Sequence, residues 1–491
     1  MTVTLSSVEA ELLAKVPGQL FIGGEWVDAE AGETLDVHDP ATGSVIRTIA
    51  AARAGDGMRA LDAAANAADA WAATAPRVRA ELLRAAFELV RERTDEFALL
   101  MTLEMGKPLA EAKGEVAYGN EFLRWFSEEA VRVTGRYGLN PEGTGRMIVS
   151  QRPVGPCFLI TPWNFPLAMA TRKIAPALAA GCTVVIKPAE LTPLTTLYFA
   201  KVLHEVGVPA GVVNVITTHH SREVSAPIIA DPRLRKLSFT GSTEVGRTLI
   251  AQASERVLRV SMELGGNAPF VVFEDADLDA AVEGALIAKF RNIGQACTAA
   301  NRFIVHASVA DEFARRVTER VAAMKVGRGT EDGVNIGPLI DSRAVETSAA
   351  LVADAVGKGA RVLTGGEALD GPGTFYAPTV VVDVQPGSEI LTNEIFGPVL
   401  AIATFDTEEE GVRLANDTDY GLVSYVYTRD LARGHRMIDA LQTGMMGLNV
   451  GVVSNAAAPF GGVKLSGLGR EGGLEGINEY LSTKYTLIPT T

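Results

Sequence analysis

From residue 153 onward, short apolar, β-branched runs alternate with helical segments, and this alternation leaves few architectures open. PCFLITP, CTVVIKP, VVNVI and LRKLSFTG read as strands, and ATRKIAPALAA, LTTLYFAKVLHEVG and EVGRTLIAQASERV separate them as helices. Strands alternating with helices build βαβ units on a parallel sheet. A second alternating stretch begins with APFVVF near 268. It runs through a helix over 277–290, the strand RFIVH, a helix over 309–324 and a strand over 361–363. The pattern predicts two α/β domains dividing near 262, within the reach of a 491-residue chain. Upstream, FIGGEWVDAEAGETLDVHDP (21–40) reads as strands and hairpins, and 55–74, 77–105 and 115–133 read as helices. The segment GLEGINEYLSTKYTLIP (473–489) ends in β-prone alternation and reads as an edge strand for a partner subunit's sheet. No repeat of 20 to 50 residues is visible.

Charge and cysteine usage narrow the function classes. The net charge of −14 and pI near 5.1 argue against nucleic acid as the main partner, which demands a basic surface. They leave an anionic small molecule open, because one local arginine pair outweighs the global balance. Cys157, Cys182 and Cys297 are odd in number and irregularly spaced, so neither a disulfide framework nor a zinc ribbon is expected. A reducing compartment fits three free thiols. The first 20 residues lack a basic stretch followed by an apolar core. Apolar runs such as PALAAGCTVVI are broken and too short to span a bilayer. The expectation is a cytoplasmic enzyme.

Four short motifs carry possible chemistry, each with a plainer alternative. LSFTGSTEVG (237–246) runs a strand through a turn into a helix, a geometry that aims N–H groups at an anion. It is not GxGxxG, and an ordinary tight turn accounts for it equally well. In VVIKPAELTP (184–193), Glu190 follows a strand and can bind ribose hydroxyls while repelling a 2′-phosphate. Taken alone, a surface loop explains Lys187 and Glu190 more simply. SMELGGNAPF places Glu263 beside two glycines, where a carboxylate serves either as a general base with a raised pKa or as a cap or hinge. Cys157 and Cys182 sit in apolar runs as small buried hydrophobes. Cys297, in FRNIGQACTAANR, has polar or small neighbours and Arg291 nearby, which suits a nucleophilic thiolate. The six histidines fall in no cysteine-protease signature.

Taken together, TPWNFP (161–166), FTGSTEVG (239–246), MELGG (262–266), FRNIGQAC (290–297), NEIFGPV (393–399) and APFGGVKLSGLGREGG (458–473) are far more specific. The ordered set resembles the NAD(P)-dependent aldehyde dehydrogenase superfamily over roughly residues 20–487. The resemblance implies a Rossmann-type cofactor domain (1–133 and 154–262), an α/β catalytic domain (263–472) and a small β oligomerisation element (134–153 and 473–491). It implies that Cys297 adds to the aldehyde and that Asn164 and the Cys297 N–H form the oxyanion hole. Hydride then leaves for the nicotinamide, and Glu263 activates the water that hydrolyses the thioester. It places Lys187 and Glu190 at the adenosine ribose, and Thr240, Gly241 and Ser242 at the pyrophosphate. Glu394 and Phe396 fall at the nicotinamide ribose, with Thr161, Trp163 and Leu264 also lining the cofactor. Glu190 favours NAD, with NADP possible, since relatives with Ser or Gly there use NADP.

Within the superfamily the substrate side chains resemble those of succinate-semialdehyde dehydrogenases. Arg172, Arg291 and Ser454 match residues that hold a distal carboxylate, a task suited to guanidinium forks and a hydroxyl. Phe165 and Phe460 then wall the aldehyde end. Read alone, Arg291 is more simply a surface helix arginine in a salt bridge, and Arg302 is expected in a structural ion pair. Ala299 stands where some relatives carry a second cysteine, so a local disulfide switch is excluded. The competing readings are a dehydrogenase for glutarate semialdehyde, one of broader specificity, a CoA-acylating enzyme, and a non-catalytic protein on the same scaffold. The last predicts loss of Cys297, Glu263 or Asn164, and all three are present. The family implies a homotetramer or homodimer, and no metal.

Overall fold

The computed structural model describes residues 5–490. In the strands Cys157–Ile160 and Val184–Lys187, apolar residues follow one another rather than alternate with polar ones. That is the signature of strands covered on both faces, and it requires a parallel sheet between helices. Cys157–Ile160, Val184–Lys187 and Lys236–Thr240 are indeed buried throughout. They form the middle of an eight-stranded sheet. In spatial order its strands are Glu25–Val27, Leu20–Ile22, Val213–Val215, Val184–Lys187, Cys157–Ile160, Lys236–Thr240, Arg259–Glu263 and Gly467–Leu468. The central five are parallel, and the outer strands are antiparallel.

Chain order reverses direction across this sheet between Cys157–Ile160 and Lys236–Thr240. Loops leaving neighbouring strand ends at such a switch point diverge to opposite faces and open a crevice. A second, seven-stranded sheet runs Arg361–Thr364, Thr379–Val382, Val399–Phe405, Ala300–His306, Ala268–Val272, Val423–Tyr427, Met445–Leu448. It is parallel except for Arg361–Thr364. The two sheets meet at Glu263 and Ala268, next to the division expected near 262.

Two expectations need correction. The helix expected over 77–105 is two, Pro76–Glu92 and Thr94–Met105, because Arg93 leaves helical geometry at ψ 23°. The strand Leu481–Pro489 pairs antiparallel with Gly145–Pro153 of the same chain, which pairs in turn with Arg136–Leu139, and its other edge pairs with no strand among the described residues. Gly467–Leu468, placed by sequence in the second domain, closes the edge of the first sheet beside Met262 and Glu263. A Cβ at Gly467 would lie 1.8 Å from the Met262 carbonyl oxygen, so only glycine fits. No described helix is long and apolar enough to cross a membrane.

Candidate active site

The crevice predicted by the reversal is present, a cleft of about 720 Å³. Thr161 and Trp163 leave one central strand, Thr240, Gly241 and Ser242 leave the other, and Lys187 and Glu190 follow the next. Ser242 caps the helix Thr243–Ser254, accepting from Val245 N–H at 3.4 Å. That helix packs closely on Leu264, where a Cβ at Gly246 would lie 2.4 Å from the leucine side chain. The residues fit a dinucleotide on their own chemistry. Thr240 Oγ1 is buried with no protein partner, and a helix N-terminus faces the same space. Lys187 is buried without a carboxylate in contact, and that burial, partly offset by Glu190, lowers its pKa to about 8. Sequence reasoning missed Arg222 and Arg343, which line the cleft around exposed Glu190. Both lie far from it in sequence, so no local motif could reveal them.

At the far end, Trp163 meets Phe396 edge-on with ring centroids 5.5 Å apart. Phe396 holds a left-handed backbone, φ 48°, as tight turns require. Glu394 accepts from Gly266 N–H at 3.3 Å, and burial raises its carboxyl to about 7. Gly266 is a close approach, since a Cβ there would lie 2.8 Å from the Cys297 carbonyl oxygen.

Cys297 follows a strained segment. Asn292, Ile293 and Gly294 all have left-handed backbones, at φ 56°, 63° and 75°. Such residues, glycine aside, cost about 1–2 kcal/mol each and persist only where surroundings hold them. The hold here is Glu111, which accepts from Asn292 N–H, and Asn292 Nδ2, which donates to the carbonyls of Asn164 and Gln295 at 3.0 and 2.9 Å. Asn164 is buried and spends one amide N–H on Gln295 O at 3.0 Å, leaving the other free. Lys107, also unseen in the sequence, donates to Asn164 O at 2.8 Å and pairs with buried Glu115. Glu115 accepts from the first N–H groups of the helix Pro166–Ala180, at Leu167 and Ala168. The Cys297 N–H donates to no other group among the described residues.

The thiol itself departs from expectation. Burial pushes Cys297 up to about 12, despite Arg172 and Arg291, and the carboxylates of Glu394 and Glu263 add to the rise. In this environment the Cys297 side chain is held in its thiol form at neutral pH. Glu263, at the end of its strand, is buried with neither carboxylate oxygen hydrogen-bonded. Burial first, and Glu471 second, hold its pKa well above the usual range. A Cβ at Gly461 would lie 2.9 Å from its Oε1, so the glycine clears the base's space.

The cations divide unequally. Arg172, expected to be free for substrate, is buried and ion-paired with Glu471, with its guanidinium 4.2 Å from the Phe460 ring centroid. Lys173 binds the same carboxylate at 2.6 Å. Sequence reasoning assigned Glu471 no role, although it lies in the quoted GREGG run. Only Nη1 of Arg172 lacks a partner beyond the pair. Arg291, by contrast, has no carboxylate within 4.0 Å among the described residues. It reaches Thr298 Oγ1 at 3.5 Å and lies 5.4 Å from the Phe165 ring centroid. Phe165 packs with Met169, Ala168 and Ala296, and Tyr118 and Ala299 join them. Tyr118, absent from the sequence reading, has a buried hydroxyl without a partner and feels both arginines and Cys297. It shares with half-buried Ser454 a cleft of about 600 Å³. Arg302 forms no ion pair among the described residues. Its guanidinium donates to the carbonyls of Asn267, Leu414 and Ala415 at 2.6–3.2 Å, a structural role of another kind.

The two sheets, with the cleft at their switch point and the buried cluster of Cys297, Glu263 and Asn164, are matched by known proteins. The family model described as "Aldehyde dehydrogenase family" matches residues 26–486. The chain is 60% identical to a succinate-semialdehyde dehydrogenase of Paenarthrobacter nicotinovorans, over 90% of this chain and 98% of that one. It is 49% identical to a glutarate-semialdehyde dehydrogenase of Pseudomonas putida, over 96% and 97%. The crystal structure of an E. coli NADP-dependent enzyme superposes with a TM-score of 0.96 at 47% identity, covering 99% of this chain and 100% of that one. The chain belongs to the aldehyde dehydrogenase family.

Proposed function

We propose that this chain oxidises succinic semialdehyde to succinate, with NAD+ as preferred acceptor and NADP+ also accepted. The reaction consumes aldehyde, NAD+ and water and yields carboxylate, NADH and two protons. The observation that carries the substrate is Arg291, a half-buried guanidinium without a carboxylate partner beside the apolar wall of the nucleophile's pocket. With Ser454, and with the unpaired Nη1 of Arg172, it offers a distal carboxylate the donors it needs.

Cys297 forms the thiohemiacetal and then the thioester. Asn164 Nδ2 and the Cys297 N–H receive the developing oxyanion, each worth about 3–4 kcal/mol when aimed beforehand. Lys107, Asn292 and Glu115 fix that aim. Bound in the cleft, nicotinamide supplies the hydride acceptor. Glu263, unbonded and of raised basicity, takes the proton of the hydrolytic water. Residues 1–133 and 154–262 serve the cofactor, and 263–472 the chemistry. The outward-facing Tyr137, Leu139, Tyr485 and Leu487 of the third sheet form an oligomerisation face, in a homotetramer or homodimer. The setting is cytoplasmic.

Arg291→Ala lowers kcat/KM for succinic semialdehyde about 10- to 150-fold, the worth of a hydrogen bond to a charged group. It leaves butyraldehyde unchanged. Equal losses on both aldehydes in steady-state assays would make Arg291 structural. Glutarate semialdehyde is the second reading, because one methylene discriminates weakly and a glutarate-semialdehyde dehydrogenase is 49% identical to this chain. For the cofactor, Glu190→Ser raises kcat/KM with NADP+ about tenfold, because the like charge facing a 2′-phosphate is gone. No gain would shift the preference to Arg222 and Arg343.

A further inference from the structure

Outside the active site, one cluster brings metal-ligating side chains together from distant parts of the chain. His219 and His220 precede the helix Ser221–Ala230, and Glu33 lies 187 positions before His220 on another segment. One donor atom from each of the three residues lies within 4.8 Å of the others. The imidazole centroids of His219 and His220 are 3.9 Å apart, tilted by 48°.

The carboxylate is held so that one oxygen is committed and one is free to serve. Glu33 Oε1 accepts from Arg53 Nε at 3.0 Å and Nη2 at 2.5 Å, while Oε2 faces His220 Nε2 at 2.9 Å. Partners of this kind orient metal-binding carboxylates. The histidine loop is equally pinned. His220 N–H donates to Thr218 Oγ1 at 2.8 Å, and that hydroxyl donates to Ala52 O at 2.8 Å. In front of the cluster lies an open hollow of about 600 Å³, lined by both histidines and Glu223.

From this geometry we infer that Glu33, His219 and His220 form a binding site for a zinc-class divalent cation. Two imidazoles and one carboxylate suit zinc and its neighbours rather than calcium or magnesium, which demand more oxygens. Tetrahedral bonds of about 2.0–2.1 Å place ligand atoms roughly 3.3 Å apart, against present separations of up to 4.8 Å. The hollow leaves the fourth position to water. Arg53 and the N-terminal dipole of the following helix both oppose a cation here, so the ligands must carry the affinity. Ser221 and Arg222, next in the chain, line the dinucleotide cleft. A bound cation therefore fixes the start of one wall of that cleft.

The test is calorimetric titration of zinc chloride into untagged protein carrying Cys297→Ala, so that the active-site thiol does not compete. One equivalent per chain is expected. His219→Ala and His220→Ala, each in that background, weaken binding at least about tenfold. Circular dichroism and the Tm without metal check that the variants fold. Cobalt(II) in place of zinc gives visible bands that the histidine variants lose. Zinc binding of unchanged stoichiometry and Kd in both variants overturns the assignment, as does absence of binding up to millimolar zinc.

Discussion

Replacing Cys297 by alanine lowers aldehyde-dependent NAD+ reduction by a factor on the order of 10⁴ or more, while NAD+ still binds. In the proposed mechanism the sulfur makes the covalent bond on which both half-reactions depend, so no neighbour substitutes for it. The cleft for the dinucleotide is built from other strands and stays intact. Steady-state assays and calorimetry with NAD+ separate the two effects. Turnover within tenfold of the parent would sink the thioester mechanism. The same sulfur sets a pH dependence. Burial holds the thiol up to about 12, so the thiolate fraction grows with pH throughout the neutral range. Alkylation of the unliganded protein by iodoacetamide therefore speeds up about tenfold per pH unit from 7 to 9. A rate flat with pH would mean a thiolate already formed.

Glu263→Gln lowers steady-state kcat by about 10²- to 10⁴-fold and leaves a burst of NADH near one per subunit. Glutamine keeps the shape, so packing is not the cause. The parent carboxyl has no hydrogen bond to lose. What disappears is the proton acceptor for the hydrolytic water. The thioester then accumulates, and intact-mass measurement shows the acyl adduct on Cys297. In the parent, burial and Glu471 raise the carboxyl well above its usual range, and its ionised form is the active one. Deacylation therefore falls as pH drops through that raised value, and the glutamine variant lacks this limb. If the first turnover slows as much as the steady state and no adduct appears, Glu263 acts on the thiol rather than on water.

Much of this was legible in the sequence because it is local. Short apolar runs alternating with helices announce a parallel sheet, and TPWNFP, MELGG and FRNIGQAC each sit at a strand or helix end. What stayed hidden depends on contacts across hundreds of residues. Arg172 is eight positions from Asn164 but takes its carboxylate from Glu471. Arg302 looked like half of an ion pair, yet its partners are backbone carbonyls, which carry no signature in side-chain sequence. The thiol's basicity depends on burial, which polar and small neighbours in sequence do not report. Lys107 and Tyr118 lie on an earlier part of the chain, and Glu33 meets His220 only through the fold.

The stretch from Ser466 to Pro489 also has a bearing on time. Gly467–Leu468 completes the first sheet beside Glu263, Glu471 neutralises Arg172 and Lys173, and Leu481–Pro489 pairs with Gly145–Pro153. None of these contacts can form until that stretch has left the ribosome. At about 5–20 residues per second, the 169 residues between Cys297 and Ser466 (466 − 297) take roughly 8 to 34 s to add. Over that interval the nascent chain carries both Glu263 and Cys297 without the segment that seals them. A chain stalled short of residue 466 lacks the strand that flanks Glu263 and the carboxylate that pairs Arg172 and Lys173.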